Sequence, residues 1–169
     1  DPVGTAFEVR PDRLTLVPEQ REGGSAAGGL DAHLLRDALK KHISHLRDAE
    51  IEVGVRVEPG LEQVKALHRV DAAVAVLYSG GLSRARTPGE QRVELTRLRD
   101  AATLAHKLGL RVAVAGGVDL RTAELLAQLP SVSEFHLGHA CIARAMLVGI
   151  ERAVADFAAA VERGRRQAF

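Results

Sequence analysis

Short apolar runs alternate along the chain with longer amphipathic ones. The first short run, "RLTLV" from Arg13 to Val17, is apolar and β-branched enough to predict a strand. A glycine-rich stretch follows, from Pro18 to Leu30. Asp31 then stands as an N-cap before a helical stripe of Leu34, Leu35, Ala38, Ile43 and Leu46. "EVGVRV" (Glu52 to Val57) predicts a second strand, "EPG" breaks it, and a short helix is expected over Leu61 to Arg69. "AAVAVL" (Ala72 to Leu77) is apolar throughout, as a strand covered on both faces is. "YSGGLSRAR" predicts a loop.

Thr87-Pro88-Gly89-Glu90 combines a capping box with proline at the first helical position. Its helix is expected to run to about Leu108, before Gly109. "RVAVA" (Arg111 to Ala115) predicts a fourth strand, and Asp119 caps a helix ending near Leu129, before Pro130. "EFHL" predicts a fifth strand. Beyond Gly138-His139 a short helix reaches about Leu147, and a longer one past Gly149 reaches about Arg163.

The order is therefore β-α five times, with an extra short helix in the last unit. That regularity predicts a parallel sheet in an α/β fold. Two closures satisfy it: an open doubly wound sheet, or part of a (β/α)8 barrel, which takes roughly 250 residues in full. No strand–GxGxxG–helix unit and no GxxxxGK[ST] motif is present, so the usual nucleotide signatures of open sheets are missing. The expectation is a partial TIM-barrel-type repeat forming a single domain over residues 1–169.

Composition narrows the function. The chain is 46% hydrophobic and 27% charged, which suits a domain with a packed core. Its net charge of +1 gives no electrostatic case for nucleic acid or an anionic membrane, and its 3% aromatic content argues against base stacking. Cys141 is the single cysteine, which excludes an internal disulfide framework and a multi-cysteine zinc site and fits a reducing cytoplasm. No signal segment and no apolar run near 18 residues is seen. The chain opens on Asp1 rather than Met, so something is expected to have been removed upstream.

The chemistry concentrates at the ends of the last two strands, Ala115-Gly116-Gly117 and Leu137-Gly138-His139. Barrels often seat a phosphate there, on the loops after the last strands and the N-terminus of a short extra helix. Glycines let the backbone come close to the anion, and the first helical N–H groups are unpaired and positive. The same residues also read as two tight strand-to-helix turns.

Three segments carry a family resemblance: "LVPEQRE" with "GGLD" (Leu16 to Glu22, Gly28 to Asp31), "AATLAHKLGLRV" (Ala101 to Val112) and "LGHACIARAMLVGIERAV" (Leu137 to Val154). In them the chain resembles the pyridoxine 5'-phosphate synthase family of the deoxyxylulose-dependent route to vitamin B6, over nearly its whole length from about Glu8. The resemblance implies a (β/α)8 barrel with extra helices, of which this chain represents strands four to eight. It implies homo-oligomers in the cytoplasm and no metal or organic cofactor. It also implies condensation of 3-amino-2-oxopropyl phosphate with 1-deoxy-D-xylulose 5-phosphate. By position, Gly117, Gly138 and His139 match the family's contacts to the aminooxopropyl phosphate, and Ser25 falls where a threonine helps bind the sugar phosphate.

The departures are equally specific. The family's catalytic histidine position before Gly117 is Gly116 here. Its Glu-x-His-Thr-Gly after the sixth strand is Val76-Leu77-Tyr78-Ser79-Gly80. Its first three β/α units, with a further catalytic His and Glu, have no counterpart. Weak turnover with retained phosphate binding is expected, and a binding or assembly module is the alternative to an enzyme.

Other residues have simpler readings beside the functional ones. Glu19, just past a strand end, is a candidate acid or base, or a carboxylate that orders its loop. Cys141 reads as a buried, inert thiol. His33, His42 and His45 lack a third spaced ligand for zinc and read as solvent-facing. Tyr78 lines the barrel mouth or donates to a ligand, and Arg84, Arg86 and Arg92 form a basic loop.

Overall fold

The computed structural model describes residues 2–19 and 28–168. Five strands form its sheet: β1 (Arg13–Leu16), β2 (Glu52–Val57), β3 (Val74–Tyr78), β4 (Arg111–Ala115) and β5 (Glu134–His136). They lie in sequential order, β1 to β5, and every neighbouring pair is parallel. A doubly wound sheet reverses its strand order at a switch point. This one never does, so the barrel-type closure is the one realised. The sheet curls far enough that Arg13 on β1 and Glu134 on β5, its two edge strands, meet at 2.5 Å across the concave face.

The helices are α1 (Pro2–Val9), α2 (Arg36–Asp48), α3 (Leu61–Arg69), α4 (Gly80–Arg84), α5 (Pro88–Lys107), α6 (Leu120–Ala127), α7 (His139–Val148) and α8 (Ile150–Arg166). Strand alternation divides the side chains between two environments. Val53, Val55, Val57, Ala75, Leu77, Val112 and Val114 join the large core shared with the helices. Val74, Val76, Ala113 and Ala115 form a separate small cluster on the concave face. Register places Val76 beside Arg56 and Ala113, and Tyr78 beside Ala115. The concave face therefore changes from apolar to polar within one strand length.

Two expectations need correction. The stripe on α2 is Leu39, Ile43 and Leu46, whereas Leu34, Leu35 and Ala38 are exposed. The Asp31 carboxylate accepts from the N–H groups of His33 (3.1 Å) and Leu34 (3.0 Å), so a turn absorbs these residues before the helix starts at Arg36. The expected loop after Tyr78 contains α4. Five residues with two glycines carry little helical propensity, so tertiary contacts hold this turn: Leu82 is buried, and Ser79 donates through its N–H to Ala115 O (2.7 Å) and through Oγ to Gly116 O (2.8 Å). Helix α1 lies ahead of the first segment that the pattern assigns. It is anchored by Ala6 in the main core, with Val3 packed against it.

The last unit is doubled, as expected. Helix α7 stops at Gly149, whose φ of +84° suits glycine, and α8 begins directly after it. Helix α8 crosses α6 at close range. A Cβ on Gly164 would come within 2.1 Å of the Glu124 carbonyl oxygen.

Candidate functional site

The carboxyl ends of the strands enclose a cavity of about 410 Å³. Each strand contributes: Thr15 and Val17 from β1 and its end, Arg56 from β2, Val76 and Tyr78 from β3, Ala115 to Val118 from β4 and its turn, and His136 to Ala140 from β5 into α7. Gly117, Gly138 and His139, far apart in sequence, thus line one space.

Gly116 and Gly117 are consecutive left-handed residues, with φ of +90° and +68°. Only glycine takes that conformation without strain. Packing adds a second reason: a Cβ on Gly117 would lie 2.2 Å from Ser83 Oγ, and one on Gly116 would lie 2.3 Å from Tyr78 Cε2. Gly138 differs. A Cβ there would meet nothing within 4 Å, so protein packing does not demand glycine at that point. What lies in front of it is the open cavity.

The N-terminus of α7 faces this space without a side-chain cap. By contrast, Thr87 and Glu90 cap α5 reciprocally, and Asp119 and Thr122 do the same for α6. On α7 the Gly138 carbonyl accepts from Cys141 (3.0 Å) and Ile142 (3.1 Å). The N–H groups of His139 and Ala140 precede the first intrahelical bond and have no acceptor in their own helix. Donors so placed, at the positive end of a helix, suit an anion.

Tyr78 also lines the cavity. It is buried and wedged between two glycines, since a Cβ on Gly80 would also come within 2.3 Å of its Oη. Arg84 Nη1 donates to Tyr78 Oη at 3.2 Å. The guanidinium groups of Arg56 and Arg84 lie 5.7 and 5.8 Å from the ring centroid, within cation–π range. Burial pushes the Arg56 pKa down, and the nearby Tyr78 and Glu58 work against that shift.

Below the cavity a polar layer crosses the barrel interior. Arg13 Nε meets Glu52 (2.8 Å), Arg13 Nη1 meets Glu134 (2.5 Å), Arg111 pairs with Glu52, and His136 Nε2 lies 3.1 Å from Glu134 Oε1. Arg111 foremost holds the Glu52 carboxyl below its ordinary value against the opposing effect of burial, with Arg13 adding to it. For Glu134, burial acts to raise the carboxyl, but Arg13 and His136 together outweigh it and hold it low.

The remaining candidates separate clearly. Ser25 lies outside the described residues. Glu19 is exposed and is not among the residues lining the cavity. His139 is exposed at the first position of α7. Cys141 is buried, and His33, His42 and His45 are exposed. Of the basic loop, Arg84 reaches Tyr78, but Arg84, Arg86 and Arg92 are all exposed and none of them lines the cavity. Sequence reasoning missed Arg56 and His136. The signal was strand alternation: Glu52, Gly54 and Arg56 share one face of β2, and Glu134 and His136 share one face of β5.

A sequentially wound, curled parallel sheet with its cavity at the carboxyl ends of the strands defines a (β/α)-barrel-type chain. Comparison with known proteins takes the assignment further. The family described as Pyridoxal phosphate biosynthesis protein PdxJ matches residues 2–163, and this chain belongs to it. Among curated relatives, the pyridoxine 5'-phosphate synthase of Syntrophotalea carbinolica is 41% identical over 154 residues, covering 91% of this chain. Those of Geobacter sulfurreducens and Prosthecochloris aestuarii are 37% and 39% identical, over 91% and 89% of this chain. The chain spans 64% of the length of each of these three relatives. Among the described residues, no helix is long and apolar enough to cross a membrane.

Proposed function

We propose that this chain forms the phosphate-binding part of a pyridoxine 5'-phosphate synthase, which condenses 3-amino-2-oxopropyl phosphate with 1-deoxy-D-xylulose 5-phosphate. The observation that carries this reading is the shared cavity of Gly117, Gly138 and His139, in a chain matched by the PdxJ family over residues 2–163. In this reading the aminooxopropyl phosphate sits between the Gly116-Gly117 turn and the start of α7. It is held mainly by backbone N–H groups, whose contribution does not depend on side-chain chemistry. Arg56 gives the same cavity a positive side chain in its wall. Ser25 is assigned to the sugar-phosphate side, and no metal or organic cofactor is invoked.

The reading extends to a cytoplasmic homo-oligomer. Among the described residues β1 and β5 each pair with a single neighbour, and open parallel edges favour association. Exposed Ile142, Met146 and Leu147 on α7 add apolar surface.

The test is to supply both phosphorylated substrates and follow product together with released phosphate. Product formation that falls when Gly138 is replaced by Val supports the synthase. Binding of the aminooxopropyl phosphate without product would leave a binding module, and failure to bind it would overturn the reading.

A further inference from the structure

We propose that His136 is the proton-transfer group of this cavity, and that Glu134 is the residue that positions it. The proposal rests on the phosphate-site reading above. Both residues sit on the same face of β5, and His136 lines the cavity directly before the Gly138 turn. His136 Nε2 lies 3.1 Å from Glu134 Oε1, and the same oxygen receives Arg13 Nη1 at 2.5 Å. An ionised carboxylate can only accept hydrogen bonds. Arg13 and His136, acting against burial, hold Glu134 on the ionised side. Nε2 must therefore carry the hydrogen, which leaves Nδ1 as the nitrogen able to take a proton.

The other groups around the cavity do not offer this. Arg56 on β2, and Arg13 and Arg111 in the layer below, are guanidinium groups and stay protonated. The Tyr78 hydroxyl on β3 is engaged by Arg84. His139 is exposed at the first position of α7. Val76 and Gly116 carry no proton to exchange. His136 is thus the imidazole of the cavity whose orientation and tautomer are both set by its surroundings.

The ligand proposed for the seat has carbons beside a ketone. Nδ1 of His136 takes a proton from one of them. The C–H electron pair becomes the C=C bond of an enolate, and the carbonyl π pair moves onto oxygen. The imidazolium exchanges its proton with solvent and returns one to the same carbon, so the step is reversible and consumes nothing. In D2O it labels the ligand.

The experiment incubates the full chain with 3-amino-2-oxopropyl phosphate in D2O, follows loss of the carbon-bound protons by NMR, and measures binding in parallel by calorimetry. His136→Ala and His136→Asn should each slow exchange by about 10²-fold or more, with affinity essentially unchanged. Added imidazole should restore part of the rate in His136→Ala. Glu134→Gln should slow exchange by a smaller factor, resist imidazole, and turn the Nε2–H form of His136 into a mixture of tautomers in ¹⁵N spectra. Exchange at the wild-type rate in both His136 variants, or a wild-type chain that binds the ligand without accelerating exchange, would overturn this proposal and leave the phosphate seat standing. A wild-type chain that does not bind the ligand would overturn both.

Discussion

The Tyr78 ring fills the space that a side chain on Gly116 would need: a Cβ there would lie 2.3 Å from Tyr78 Cε2. Tyr78 at the end of β3 and Gly116 just after β4 therefore form a single packing arrangement. Gly116→Ala has to displace the ring and also hold a φ of +90°. The two costs together should destabilise the chain by about 2–4 kcal/mol. Tyr78→Ala removes only the steric part. In a double-mutant cycle read by urea unfolding, the pair should cost less than the sum of the single changes, whereas strict additivity would show that they do not compete for space.

Arg13 ties the two edge strands together through Glu52 and Glu134. Its replacement by Gln should lower stability at pH 7 by about 1–2 kcal/mol, the range of a charged hydrogen bond partly screened by solvent. Thermal unfolding at two salt concentrations measures this, and the difference between the chains should shrink at the higher one.

The same layer sets the response to acid. Arg111 and Arg13 hold the Glu52 carboxyl below its ordinary value against burial; burial opposes the same shift at Glu134, where Arg13 and His136 prevail. Carboxyls depressed by folding favour the folded chain at pH values above the ordinary carboxylate range, about 4.3. That contribution is lost as the pH falls through their folded values. Stability should therefore hold from pH 7 to about 5 and fall steeply below about 4. The fall should be shallower in Arg13→Gln, and an identical slope in both chains would assign it to other carboxyls.

Gly164→Ala tests the close crossing of α8 on α6. The added methyl would meet the Glu124 carbonyl oxygen at 2.1 Å and the Ala127 side chain at 2.7 Å. Helix propensity alone favours alanine by about 1 kcal/mol. Steric cost should win, with a net loss of about 1–3 kcal/mol seen as a lower melting temperature. A gain would mean that the helices separate freely.

Much of the fold was legible because its punctuation is local. β2, α3 and β4 occupy the segments expected from pattern, and the caps at Thr87 and Asp119 form as their sequences suggest. What escaped depended on contacts distant in sequence. Helix α4 exists because Ser79 bonds to the end of β4 and Leu82 is buried, and no residue inside it announces a helix. The start of α2 shifted because Asp31 closes a turn before it, where Gln63 of α3 also donates to its carboxylate. At the site, the glycine turns were readable as motifs because they are contiguous. Arg56 and His136 were not, since each is separated by one residue or more from the other polar side chain on its strand face, Glu52 or Glu134, and forms no contiguous motif. Only the curl of the sheet decides that its face lines a cavity rather than a helix layer.

Phosphate binding at the junction of the β4 turn and α7 is tested most directly by titrating the chain with inorganic phosphate and following its backbone amide resonances. Saturable shifts should be largest at Gly117, Gly138, His139 and Ala140, and should vanish in Gly138→Val while the fold, read from the remaining resonances, is kept. Saturable shifts centred on other residues, or a Gly138→Val chain that binds phosphate with unchanged affinity, would contradict the assignment.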